Sequence, residues 1–208
     1  MVMTAARRSK VYTPSQASAA TGLSLPAVHK AIEHGLIRPQ RIQEGRLVQR
    51  LLSKSQVLYL ALEAKGLRVL PLATRRQIAK AIERDPSMGK LDISSERVII
   101  VQLSWVRKEV EAGLHRLAQA ERMVDADPEL MHGTPVYRGT RIPVHAIADM
   151  LVQGATVEEI LEGYPALTRE KVKLAPFYVK AFPRRGRPAM RPWATSGPRR
   201  ASEHRLAS

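Results

Sequence analysis

Residues 12–38 read YTPSQASAATGLSLPAVHKAIEHGLIR, and this stretch predicts two short helices separated by a sharp turn. Thr13 suits a helix N-cap, Pro14 the first helical position and Gln16 the reciprocal place in a capping box, so a helix is predicted over 14–21. Gly22 supplies a backbone that can turn tightly. Ser24 is the expected cap of a second helix, on which Leu25, Val28 and Ile32 recur at helical spacing and would face inward. Ala27, His29, Lys30 and Glu33 then fall on or near the outer face. A short helix, a glycine turn and a second helix with a small polar outer face is the pattern of a DNA-reading helix-turn-helix. A helical hairpin in a small core gives the same apolar spacing. The surrounding charge favours the DNA reading.

That charge is uneven. The 208 residues carry a net +15. Residues 1–54 hold nine Lys/Arg against two Asp/Glu, and residues 55–122 hold twelve against eight. Residues 123–182 hold six against eight, and residues 183–208 hold seven against one. Both ends of the chain therefore suit a polyanion, and residues 123–182 do not. Arg7, Arg8 and Lys10 read either as a frayed terminus or as a basic arm on phosphates.

Outward from the helix pair, residues 38–53 (RPQRIQEGRLVQRLLS) place Ile42, Leu47 and Val48 around a Glu44-Gly45 turn, as in a short hairpin. Arg38, Arg41, Arg46 and Arg50 decorate it. Beside a helix-turn-helix such a hairpin would be a wing, with arginines on phosphates or in the minor groove. The candidate DNA-binding residues are thus Ser24, Ala27, His29, Lys30, Arg38, Arg41, Arg46 and Arg50. A solvated hairpin with arginines for solubility is the blander reading.

A helix is expected over 54–65 with Val57, Leu58, Ala61 and Leu62 on one side, and another over 72–84 with Ile78, Ala79 and Ile82 inward. Arg75, Arg76 and Lys80 read as its wet face. Two short strands are expected within 91–101, then the longest helix over 102–123. Trp105, Val106, Val110, Leu114 and Leu117 form a stripe along it, reading as core or as a seam between two protomers, and a homodimer would suit a palindromic site.

From Val124 the text changes character, through Val172. Turns at Gly133-Thr134-Pro135 and Arg138-Gly139 surround a short strand, Val136-Tyr137. Pro143 opens a helix ending before Gly154. Thr156 and Glu159 form a capping box for a second helix, and Thr168 caps a third. Pro176 in the sequence LAPFYVKAF predicts a kink or a stop near Leu174. Arg138 and Arg141 are expected to fix turns through backbone or carboxylates such as Asp149.

The stretch DPELMHGTPVYRGTRIPVHAIADMLVQGATVEEILEGYPALTREKV resembles the bacterial family called domain of unknown function 433. Asp127, Pro128, Gly133, Pro135, Gly139, Thr140, Arg141, Ile142, Val144, Gly154, Glu159, Ile160, Tyr164, Pro165, Leu167 and Thr168 match its motif, with Arg138 and Pro143 inside it. More weakly, the N-terminal half resembles the helix-turn-helix ahead of this domain in antitoxins similar to the VapB type. The resemblance implies an antitoxin that binds a ribonuclease toxin with a PIN-like fold and binds the double-stranded DNA of its own operator. An acidic cover would be electrostatically apt for a nuclease that handles RNA.

Residues 183–208 are rich in Pro, Arg and Ser and should be a disordered basic tail. Arg185-Gly186-Arg187-Pro188 equals the centre of an AT-hook, a minor-groove element, though so short a match in a basic tail fits a solubilising, unspecific arm better. There is no cysteine, which excludes disulfides and thiolate metal sites and fits the cytoplasm. The six histidines show no compact ligand spacing, so no metal or other cofactor is expected. Asp125, Asp127 and Glu129 read as turn caps. No nucleophile–base pair or phosphate-cradling glycine loop points to an enzyme, and no apolar run is long enough to span a membrane.

The expected fold is mainly α with small β elements: a winged helix-turn-helix-like domain over 1–54, a helical and β connecting or dimerisation region over 55–122, a three-helix domain over 123–182 and the tail. A transcriptional regulator without a toxin, or a protein-binding module whose helix pair is only structural, are the alternatives.

Overall fold

The computed structural model describes residues 10–44, 47–94, 98–126 and 133–184. The arm residues Arg7 and Arg8, the turn residue Gly45, Arg46, the motif residues Asp127 and Pro128, Glu129, and the tail including Arg185-Gly186-Arg187-Pro188 lie outside them.

Among the described residues the fold is mainly helical with three two-stranded antiparallel sheets. Helices α1 (Pro14–Thr21) and α2 (Leu25–Glu33) lead to strands β1 (Gln40–Glu44) and β2 (Leu47–Leu51). Helices α3 (Lys54–Ala64) and α4 (Leu72–Arg84) lead to strands β3 (Lys90–Ser94) and β4 (Val98–Gln102). The longest helix, α5 (Ser104–Arg122), runs into β5 (Val124–Asp125), which pairs with β6 (Val136–Tyr137). Helices α6 (Val144–Val152), α7 (Val157–Gly163) and α8 (Arg169–Ala181) follow.

The caps explain why the boundaries sit where they do. The Thr13 side chain accepts from the Gln16 N–H while the Gln16 side chain accepts from the Thr13 N–H, closing α1; Ser53 and Gln56 do the same for α3 and Thr156 and Glu159 for α7. Each box satisfies donors that the first helical turn leaves unpaired. Gly22 ends α1 at φ 76, a conformation that costs glycine little. Ser24 stands at the N-cap of α2, but its side chain makes no capping bond, contrary to expectation.

One apolar cluster joins α1–α5, with Val28, Leu52, Val57, Leu60, Ile78, Leu103, Val106 and Leu117 at its centre. Helix α3 is its axis. Residues 56–63 are buried all round, rather than on the one side that Val57, Leu58, Ala61 and Leu62 suggested. A helix enclosed by α1, α4 and α5 has no solvent face to keep polar. The stripe on α5 is likewise used inside the chain: Val106, Val110 and Leu117 are buried, facing α1, α3 and α8, and only Trp105 stands exposed, beneath the Lys65 ammonium. That stripe is therefore not an open seam for a second protomer.

A second cluster joins α6–α8 to β5 and β6, with Tyr137, Ile147, Ile160, Leu167, Val172 and Tyr178 buried. Helix α8 belongs to both clusters. It packs on α6 and α7 and also on α1 and α5, with Ala181 in the first core. This shared packing accounts for the failure of Pro176 to end it: the helix continues to Ala181. Pro176 is exposed, so its ring points away from the packed face. Burial of Val172, Ala175, Tyr178 and Ala181, at about 25 cal/mol per Å2 of apolar surface, outweighs one missing hydrogen bond.

Candidate nucleic-acid interface

Helix α2 is set by its inner side. Val28 and Ala31 are 0% and 2% exposed, and Ile32 packs partly against the same core. The chain then turns at Gly35, φ 66, and buries Leu36 and Ile37. With these anchors in place, His29, Lys30 and Glu33 are exposed on the opposite side. Ser24 is exposed as well. Ala27 is only half-buried and packs on the core, so it belongs to the edge of the outer face rather than to its middle.

Strands β1 and β2 are held to the helices from behind. Tyr12 and Leu52 exchange backbone hydrogen bonds of 2.9 and 2.7 Å, which ties the start of α1 to the end of β2. The Gln56 side chain donates to the Arg38 carbonyl at 2.9 Å, fixing the junction between α2 and β1 on α3. In the hairpin register Arg41 stands directly opposite Arg50 and Gln43 opposite Val48. Residues facing one another across a ladder point to the same side, so the two arginines are neighbours. Both are exposed, as is Arg38, and none of the three makes an ion pair among the described residues. Like charges directly opposite on a sheet repel. Val48, 61% exposed, adds apolar surface beside them.

Helix α4 brings residues that the sequence reading placed on a wet face. Arg75 is not there: its guanidinium donates to both carboxylate oxygens of Glu63 at 2.9 and 2.7 Å, and Glu63 is 3% exposed. The Tyr59 hydroxyl donates to the same carboxylate, and burial, then this bond, push the Tyr59 pKa far up. Arg76 is exposed but reaches back to α2, donating to the His34 carbonyl at 3.0 Å. Lys80 and Arg84 are exposed and make no ion pair among the described residues. Spacing alone could not have shown that α4 lies against the end of α2.

Lys10 pairs with Glu121 at 3.4 Å, an exposed contact of little energetic weight.

Residues 123–182 present a different surface. Arg138 holds Asp125 at 2.9 Å, not Asp149, which Arg184 holds at 3.2 Å. Arg141 is exposed. The Thr140 hydroxyl donates to the Tyr137 carbonyl at 2.8 Å and accepts from the Ile142 N–H at 3.1 Å, with Gly139 at φ 77, so this part of the motif builds a turn. The Tyr137 hydroxyl donates to the Lys171 carbonyl at 3.2 Å, tying β6 to α8. Gly133, Pro135 and Pro143 line an open groove of about 690 Å3 with His145 and Tyr178. Burial, then the Arg184 charge, lower the His145 pKa. Tyr164 is half-buried and Pro165 exposed.

Among the described residues no group of three or more His, Cys, Asp or Glu is placed to hold a metal ion, and no helix is long and apolar enough to cross a membrane.

Residues 124–179 match the family described as "Protein of unknown function (DUF433)". The chain is 46% identical over 74 residues to the uncharacterized protein y4eO of Sinorhizobium fredii, a match covering 36% of this chain and 34% of that protein. The chain thus spans about a third of that relative's length. Among solved structures, the crystal structure of Rv2018 from Mycobacterium tuberculosis aligns over 79% of this chain and 96% of its own at 14% identity, with a TM-score of 0.35.

Proposed function

We propose that the protein is an antitoxin that also represses its own operon: α1, α2 and the β1–β2 hairpin form a winged helix-turn-helix that binds duplex DNA, and the 123–182 region engages a ribonuclease toxin. The observation that carries the DNA reading is Arg41 standing opposite Arg50 on an exposed hairpin that follows α2, whose own Lys30 and His29 are exposed. Two cations held side by side without an acid lose energy until an anion arrives, and a phosphodiester backbone supplies one at regular intervals. In this reading His29 and Lys30 meet base edges, Arg38, Arg41 and Arg50 set the register on phosphates, and a homodimer would match a palindromic operator. The toxin partner rests on the resemblance of residues 127–172 and on the net −2 of residues 123–182, which would serve as cover for an RNA-binding surface.

Gel-shift titration with the DNA upstream of the gene tests the first half. His29→Ala with Lys30→Ala should abolish preference for that DNA over a scrambled duplex, while Arg41→Ala with Arg50→Ala should weaken both alike. Equal binding of both duplexes by the wild type would sink sequence-specific repression and favour a protein-binding module with a structural helix pair. Co-expression with the adjacent gene product tests the second half: the antitoxin reading requires a stable complex and loss of that product's ribonuclease activity.

A further inference from the structure

Between residues 13 and 103 the chain passes twice through one series of elements. The first pass is a Thr13-capped helix, a left-handed glycine at Gly22, a second helix and a hairpin of five residue pairs followed by the buried Leu52. The second is a Ser53-capped helix, a left-handed glycine at Gly66, a 3-10 turn, a longer helix and a hairpin of five residue pairs followed by the buried Leu103. Both first helices are closed by a capping box using glutamine, Gln16 and Gln56. Fifty residues separate Lys30-Ala31-Ile32-Glu33 from an identical Lys80-Ala81-Ile82-Glu83. The same interval separates the buried Val28 from the buried Ile78, and β1 from β3. Helix α4 thus holds the place in the second unit that α2 holds in the first, and Lys80 the place of Lys30.

The exposed side of α4 carries Arg76, Lys80 and Arg84 at four-residue spacing, with Gln77 beside them. Arg76 touches the end of α2 through the His34 carbonyl, 3.0 Å away. That contact decides what α4 can reach. Successive major grooves on one face of a duplex are about 34 Å apart, whereas a nine-residue helix such as α2 is about 13 Å long. With α2 in a groove, a helix abutting it could not enter the next groove and would face the backbone that borders the first. Between α4 and the segment that follows α2 lies a crevice of about 470 Å3, lined by Gly35, Leu36 and Arg38 on one side and by Arg76, Lys80 and Glu83 of α4 on the other. The Gln56 amide donates to the Glu83 carboxylate at 3.2 Å, and the crevice holds three cations against this one carboxylate.

We propose that α4 is a second DNA-contacting helix, a duplicate of α2 converted from groove reading to holding the phosphates beside the groove, with Lys80 and Arg84 as its free cations. The proposal rests on α2 being the groove helix. The test is titration of the full chain with the duplex upstream of its gene and with a scrambled duplex, over a series of salt concentrations. Lys80→Ala with Arg84→Ala should weaken both duplexes equally, by about tenfold, and make the plot of log affinity against log salt shallower by about 2, since each lost phosphate contact removes roughly 0.9. Thermal unfolding should not change, because both side chains are exposed. Unchanged affinity and slope, in a protein that His29→Ala with Lys30→Ala still cripples, would overturn this inference alone. Weakening confined to the upstream duplex would overturn it too, by making α4 a base reader. Failure of the wild type to bind either duplex would instead remove the reading on which it stands.

Discussion

Glu63 is a carboxylate at 3% exposure, and the residues around it show how a buried charge is kept tolerable. Arg75 meets both its oxygens and the Tyr59 hydroxyl donates to one of them. Arg75→Ala would leave that carboxylate without a cation inside the core, so a loss of about 3 kcal/mol is expected in urea unfolding. His145 is the second residue whose environment has a measurable consequence. Burial, then the positive Arg184, depress its pKa, Asp149 opposing them in part, while its ring meets Tyr178 edge-on at 6.4 Å. Above the ordinary histidine pKa of about 6.5 the ring is neutral in both folded and unfolded chains. As pH falls through that value, the unfolded chain takes up a proton that the folded chain resists, so stability drops. Melting temperatures between pH about 7.5 and 5.5 should therefore fall less in His145→Gln than in the wild type, whatever the variant's starting stability. Neither partnership was legible in the linear text. Arg75 and Arg76 read alike, because helical spacing reports which side of a helix a residue occupies but not what lies across from it. His29, Lys30, Arg38, Arg41 and Arg50 were readable because their exposure follows from the apolar residues between them.

Among the elements, α1 and α5 cross with their backbones in close approach. A Cβ built on Gly113 would stand 2.1 Å from the Ala20 carbonyl oxygen, so only glycine lets the two backbones approach this closely. Gly113→Ala gains helix propensity of about 1 kcal/mol but must push α1 off α5, and overpacking of this kind costs about 1–3 kcal/mol. A net loss is expected in chemical denaturation, with α1 and the attached hairpin the first to gain amide exchange. Pro176 offers the opposite experiment. It is exposed within α8, and Pro176→Ala would return an N–H to the helix, raising stability by about 1–3 kcal/mol as read by urea unfolding. Helix starts other than that of α2, where Ser24 makes no capping bond, were well predicted because caps are local chemistry: Thr13, Gln16, Thr156, Glu159 and Thr168 all cap as expected. The course of α8 was not. Its continuation past proline depends on partners more than a hundred residues upstream in α1, which no window of sequence contains.

For the whole molecule, charge is the property that most directly bears on the proposed DNA role. Arg38, Arg41 and Arg50 are the proposed phosphate contacts beside α2, and Lys80 and Arg84 of α4 raise them to five, which would give a salt slope of about −4.5. A slope near zero in filter-binding or gel-shift titrations would remove the electrostatic basis of the reading. Helix α8 has a further consequence for anyone who would cut the chain into pieces. Because it lies across α1 and α5 as well as α6, a shortened protein ending before residue 169 would bare a strip of apolar surface on its N-terminal half. Such a fragment should self-associate on a sizing column.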